Sequence, residues 1–235
     1  YDASHLLPKL GRVRLRAEPA LDTTSFKQTL VLRDAAVVIE IGDASFRLWV
    51  DAYEPVIRLE GRGLSPRTYT LTAESLRPWQ DAAQPPPSSG TAALLFHDAY
   101  DVLAWCYRNQ SSAWAERFAG QNSPEMIART RDPLLHRTSG CVLSANGFTR
   151  AAADRLATPA PVTLLDASVR VLTSQPADAE AWRLEALPPI RSDWTDHRAY
   201  WASFWNRSHI FIPKAGQGVF NFEPYRFMQF PQARD

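Results

Sequence analysis

Residues 37–50 read VVIEIGDASFRLWV. Two short runs rich in β-branched and aromatic residues, 37–41 and 46–50, flank the turn pair Gly42-Asp43, which is the pattern of a β-hairpin. Further runs of the same kind lie at 26–32, 56–60 and 68–73. Turn signals at Glu54-Pro55 and across 61–66 separate the last two from what precedes them. Short strands at this spacing predict an antiparallel meander within a sandwich.

Upstream, GRVRLRA at 11–17 alternates Val13, Leu15 and Ala17 with Arg12, Arg14 and Arg16. That is a half-buried strand with a cationic outer face. Such a ladder either grips a phosphate or sulfate or is a solvated strand face, and the second is the ordinary use of exposed arginines. Downstream, QDAAQPPPSSG at 80–90 reads as a surface loop within the domain, because strand patterns resume at 94–96 and 102–107. Others follow at 142–143, 162–165 and 169–173, with a turn at Asn146-Gly147. Residues 178–186 form a short helix pattern ended by Pro188-Pro189. Residues 216–235 carry few regular signals, and no internal repeat is visible.

Residues 192–212, SDWTDHRAYWASFWNRSHIFI, predict a helix followed by a short strand. Ser192 or Asp193 suits the N-cap, and Asp193 and Asp196 place negative charge in the first turn, where the helix dipole favours it. Trp194, Trp201, Phe204, Trp205 and Ser208 share one face, an unusually aromatic one that needs an apolar neighbour. A structural strut that docks the β-rich region onto something else is the expected role, with Arg207 beside the stripe.

The chain has 235 residues and a formal net charge of +1. It is long enough for one large β domain or two small ones, and it offers nucleic acid or an acidic membrane surface no electrostatic support. No apolar run is long enough to span a bilayer, and YDASHLLPKL lacks the apolar core of a signal peptide. Cys106 and Cys141 have no metal-site spacing. They are either a disulfide in an oxidising compartment or two buried thiols, and cysteine often behaves as a small hydrophobe.

Signatures of catalysis are missing: no phosphate-cradling glycine loop, no GxSxG, no HExxH and no paired CxxC. The five histidines are scattered, so neither cofactor nor metal is expected. Two polar stretches are candidate substrate-binding sites. Arg108 and Asn109 open RNQSSAW at 108–114, where a guanidinium fork and an amide suit a sugar hydroxyl or a carboxylate. His136 and Arg137 lie in RDPLLHRTSG at 131–140. The competing reading is that these groups satisfy loop backbone and pin one loop to another. Trp105, Trp114 and Trp182 are either sugar-stacking platforms or core, and Trp105 sits inside an apolar run that favours core.

Taken together in this order, KLGRVRLR, FKQTLVL, FRLWVDAYEPVIRLE, WCYRNQSSAW, DPLLHRTSG and HRAYWASFWNRSHI resemble the uncharacterised bacterial domain family numbered 5703. That family is similar to the N-terminal β-sandwich of inverting α-L-fucosidase-like glycoside hydrolases, in which a linker helix with a W..FW.RS pattern leads to an α/α toroid. The resemblance implies a mainly β fold, an antiparallel β super-sandwich followed by a C-terminal linker helix. It divides the chain into a sandwich over 1–187, its opening strands missing, and a linker helix with the truncated start of a toroid over 188–235. It implies no catalytic residue within this chain, because the carboxylates of such hydrolases lie in the toroid. It also implies a docking role for Trp194, Trp201, Phe204, Trp205 and Arg207, and a secreted or periplasmic protein acting on carbohydrate. The expected partner is a covalently linked toroid domain, and beyond it an oligosaccharide. The alternative is a free-standing carbohydrate-binding or protein-interaction module. An unpaired module has little reason to carry the aromatic stripe, whereas a strut must bury it against a neighbour and is expected to leave part of it exposed in the chain alone.

Overall fold

The computed structural model describes residues 10–75, 79–81, 93–96, 101–120 and 124–208. Its strands are β1 (Arg12–Glu18), β2 (Phe26–Val31), β3 (Ala36–Ile41), β4 (Ala44–Val50), β5 (Val56–Glu74), β6 (Trp79–Asp81), β7 (Ala93–Phe96), β8 (Val102–Arg108), β9 (Thr138–Ala145), β10 (Thr149–Ala152), β11 (Arg155–Ala157) and β12 (Val162–Ser174). The main path runs β2-β3-β4-β5-β12-β9-β8-β7-β6, antiparallel except where β6 meets β7. The fold is therefore mainly antiparallel β with a C-terminal helix.

The meander 37–50 forms as its alternation predicts. Ile39 stands opposite Phe46 and Val37 opposite Leu48, and both pairs fall on the inner face of the large sheet. The next stretch differs from its sequence pattern. Residues 56–60 and 68–73 belong to one strand, because β5 leaves the large sheet, where it pairs with β4 and β12, and joins a small sheet with β1 and β11. The Gly/Ser/Pro segment between them is the bend of this crossing. Gly61 is there for space: a Cβ at this position would lie 2.6 Å from the Phe46 ring, which packs over it. For a similar reason 162–165 and 169–173 merge into β12, since Ala167 continues the ladder opposite both Leu59 and Ala145. The hairpin β10–β11 and the helices α1 (Trp114–Gly120) and α2 (Pro124–Arg129) are too short to give a pattern of their own. The strand expected at the end of 192–212, the tail 216–235 and most of the loop 80–90 lie outside the described residues.

The small sheet lies over one face of the large one and closes the main core, with Tyr69, Leu71 and Leu156 packed against Phe46, Leu103, Trp105, Leu143 and Leu165. The other face carries a second core under α3 (Ala179–Ala186), which Asp178 caps by accepting from the Ala181 amide at 2.7 Å. Trp182 of α3 is completely buried, stacks on Phe96 at 6.3 Å, and donates through Nε1 to the Leu172 carbonyl at 3.2 Å.

Cys106 and Cys141 sit on neighbouring strands, one step out of register: Cys106 opposes Gly140 and Cys141 opposes Trp105. One step reverses the side-chain direction, so Cys106 enters the core under α3 and Cys141 the core between the sheets. The two thiols cannot meet and both are free. Burial pushes each up to about 12, so neither is a thiolate near neutral pH. The pair therefore carries no information about redox compartment.

The arginine ladder of β1 has a partner in the protein. Arg14 donates to Glu74 at 2.6 Å and Arg12 through Nε at 2.7 Å. Their hydrogen bonds, Arg14 first, hold the Glu74 carboxyl down to about 2.

Candidate functional site

Two regions gather the residues singled out in the sequence. The first is a loop cluster at the end of β8. Arg108 donates through Nη1 to the His136 carbonyl at 3.0 Å, the Thr138 hydroxyl at 3.0 Å and the Pro176 carbonyl at 3.1 Å. Its Nη2 donates to the Ala177 carbonyl at 2.7 Å. The Asn109 amide side chain donates to the Leu134 carbonyl at 3.0 Å, while its backbone exchanges bonds with His136 and Arg137. Asp132 accepts from the amides of Leu134 at 2.8 Å and Leu135 at 3.0 Å and from the Ser112 hydroxyl at 3.2 Å. Partial desolvation pushes that carboxyl up, but these donors and nearby His136 outweigh it and leave it below its ordinary range.

The structure thus brings Arg108, Asn109, His136 and Arg137 together, in two different roles. Arg108 and Asn109 tie three loops by their carbonyls, as the competing reading expected. His136 and Arg137 are exposed, with Arg137 bonded to the Pro133 carbonyl at 3.4 Å. His136 has φ +61°, an uncommon conformation for a non-glycine residue, and the turn it makes lifts this pair to the surface. The arrangement presents a polar, cationic edge. Of the three tryptophans, Trp105 and Trp182 are core, and Trp114 is half-buried against Phe118 at 4.7 Å.

The second region is the seat of α4 (Trp194–Arg207). Asp193 caps it, accepting from the amides of Thr195 at 2.7 Å and Asp196 at 3.0 Å, and Asp196 returns a bond to the Asp193 amide in a capping box. The approach to the helix is tied down by the 51–55 loop. Asp51 accepts from the Ser192 hydroxyl at 2.7 Å; Glu54 accepts from the Arg191 amide at 2.7 Å and pairs with Arg170 at 2.9 Å. Arg58 donates to the Ser192 carbonyl.

The aromatic stripe of α4 then lies on the outer face of its own sandwich. Trp194 meets Trp49 of β4 edge-on at 4.9 Å, and the Arg47 guanidinium stands 3.8 Å from the Trp194 ring centre. Arg47 also pairs with Glu60 across the strands. His197 bonds the Asp34 carbonyl at 2.9 Å, Arg198 pairs with the Asp34 carboxylate at 3.4 Å, and Trp205 Nε1 donates to the Leu32 carbonyl at 3.0 Å. These acceptors belong to the 3-10 turn Leu32–Asp34, which sits between β2 and β3. Phe204 is buried, Trp194, Trp201 and Trp205 are half-buried, and Arg207 is exposed and bonded to the Ser203 carbonyl of its own helix.

Six partners in this seat were not singled out from the sequence: Arg47, Trp49, Asp51, Glu54, Arg58 and His197. A signal existed for two of them. His197 stands three residues after Trp194 and four before Trp201, on the same helical face. Trp49 occupies the outward phase of β4, where a large indole needs a cover.

Between β1 and the inner face of the large sheet there is also an apolar cleft of about 350 Å³, lined by Leu48, Ile57, Leu59, Trp105, Val169 and Val171 among others. Among the described residues, no group of three or more His, Cys, Asp or Glu is placed to hold a metal ion. None of the helices described is long and apolar enough to cross a membrane. A family model described as a domain of unknown function (DUF5703), in its N-terminal form, matches residues 1–210. No curated protein matches the chain.

Proposed function

The chain belongs to the DUF5703 N-terminal domain family, and on that premise we propose that it is the ancillary β-sandwich of a secreted or periplasmic glycoside-hydrolase-like protein, with α4 as the strut to a covalently linked catalytic toroid. The observation that carries the reading is the seat of α4. Two loop carboxylates, the Trp194–Trp49 ring contact and the Trp205–Leu32 bond fix the helix to the sandwich, so the helix itself has a defined direction on it. The resemblance of the ordered motifs to the sandwich of fucosidase-like hydrolases supplies the substrate class. A second reading, a carbohydrate-binding module, has one specific support in the exposed pair His136 and Arg137.

Assays on the purified chain separate these. On aryl-glycosides the chain is expected to give no turnover above background, because the paired carboxylates of sugar hydrolysis lie outside it on this reading. Turnover that disappears on replacing one of its own carboxylates would overturn the ancillary role. Calorimetry with oligosaccharides tests the module: binding abolished by His136→Ala and Arg137→Ala would favour it.

A further inference from the structure

The seat of α4 encloses an imidazole, that of His197. His197 is 0 % exposed. Its ring stacks on Trp194 at 5.4 Å and 20°, with Trp49 at 6.1 Å and Trp201 at 6.3 Å. Nε2 lies 2.9 Å from the Asp34 carbonyl, which only accepts, so Nε2 carries the hydrogen. Nδ1 is then a bare lone pair, and it has no partner among the described residues. A neutral ring tolerates this. A charged ring would bury a second N–H without an acceptor, which is far more costly.

Charged groups stand on every element around the seat, and the two that act on the ring, Asp51 and Asp34, both favour its protonated form. The turn before β3 brings the Asp34 carboxylate, already paired with Arg198 of α4 itself at 3.4 Å. From β4 comes Arg47, paired with Glu60 of β5, and β5 also brings Arg58, which donates to the Ser192 carbonyl. The 51–55 loop brings Asp51, bonded by the Ser192 hydroxyl at 2.7 Å, and Glu54, paired with Arg170 at 2.9 Å. With the carboxylates engaged, burial decides. It lowers the affinity of the docked ring for a proton, against the opposing pull of the Asp34 and Ala35 backbone and of the Asp51 and Asp34 carboxylates.

We propose that His197 makes the attachment of α4 to the sandwich acid-labile: the ring is neutral while the helix is docked, and a proton taken up on Nδ1 in the undocked state holds the helix off. The device is independent of what the sandwich serves. A released imidazole titrates near 6.5, at about the model-peptide value. The docked ring binds its proton at lower pH. Docking is therefore fully held above about pH 6.5 and weakens progressively as pH falls below it. Titration of the released ring bounds the rise of the opening equilibrium between pH 7.5 and 5.5 at roughly tenfold.

Amide hydrogen exchange of α4, corrected for the intrinsic effect of pH, measures that equilibrium. Wild type is expected to lose protection across residues 194–207 over this interval, by up to roughly tenfold, and His197→Gln to show no such pH dependence. Should His197→Gln fail to fold, a ¹⁵N-histidine NMR titration of the wild type replaces it, with an Nε2–H tautomer that stays neutral to lower pH than a free imidazole as the expected result. Protection of α4 equal at both pH values, an identical pH-dependent loss in His197→Gln, or a ring that titrates at or above 6.5 would each overturn the proposal.

Discussion

Trp182→Ala is expected to destabilise the protein by about 3–5 kcal/mol, the range for truncating a fully buried indole. Trp182 is the centre of the second core. Its ring lies on Gly140, where an added Cβ would be 2.5 Å from the indole and 2.3 Å from the Trp105 carbonyl, so the glycine exists to let helix and sheet approach. Removing the ring leaves Phe96, Ala104, Cys106 and Val142 facing a void that the stiff strands β7, β8 and β9 cannot close. It also leaves the Leu172 carbonyl without the indole donor. Urea unfolding reads this directly as a fall in midpoint at unchanged slope. A loss below about 1 kcal/mol would mean that α3 contributes little to the fold.

Trp49→Ala is expected to cost a similar amount, about 3–5 kcal/mol, but to act in a different place. Trp49 is 3 % exposed, although it stands on the outer face of the sheet, and what covers it is Trp194 at 4.9 Å and His197 at 6.1 Å. Without it α4 loses the floor of its seat and the Arg47 guanidinium loses one of its two ring contacts. The expected signature is a lowered midpoint together with loss of near-UV dichroism, since coupled indoles dominate that signal. A Trp49→Ala protein with an unchanged aromatic spectrum would show that α4 does not rest there.

Much of this arrangement is legible from the sequence because its causes are local. The hairpin 37–50 carries its own alternation and turn, and the helix at 192 carries its own cap, so both form where the pattern puts them. The β5 crossing was not legible. Gly61 reads as a turn signal, whereas its reason is the ring of Phe46, a residue on another strand. The thiols show the same limit: only the register of β8 against β9 sends Cys106 and Cys141 to opposite faces. In the loop cluster, Arg108 has the chemistry of a ligand-binding group, and the carbonyls that use it come from residues 28 and 68–69 positions away. The aromatic stripe was visible as something that needs a partner. That the partner is Trp49, Arg47 and the turn at Leu32–Asp34 depends on strands far from it in the chain.

The most direct test of the central claim, that the stripe of α4 is seated on its own sandwich, is the urea midpoint of Trp205→Glu. In the seated helix the Trp205 ring is half-buried and Nε1 donates to the Leu32 carbonyl at 3.0 Å, so the substitution removes an anchor and puts a carboxylate against that carbonyl. A monomer destabilised by about 2–3 kcal/mol is the predicted result. A protein of unaltered midpoint and improved solubility would contradict it, because the ring would then have been a bare surface waiting for another domain.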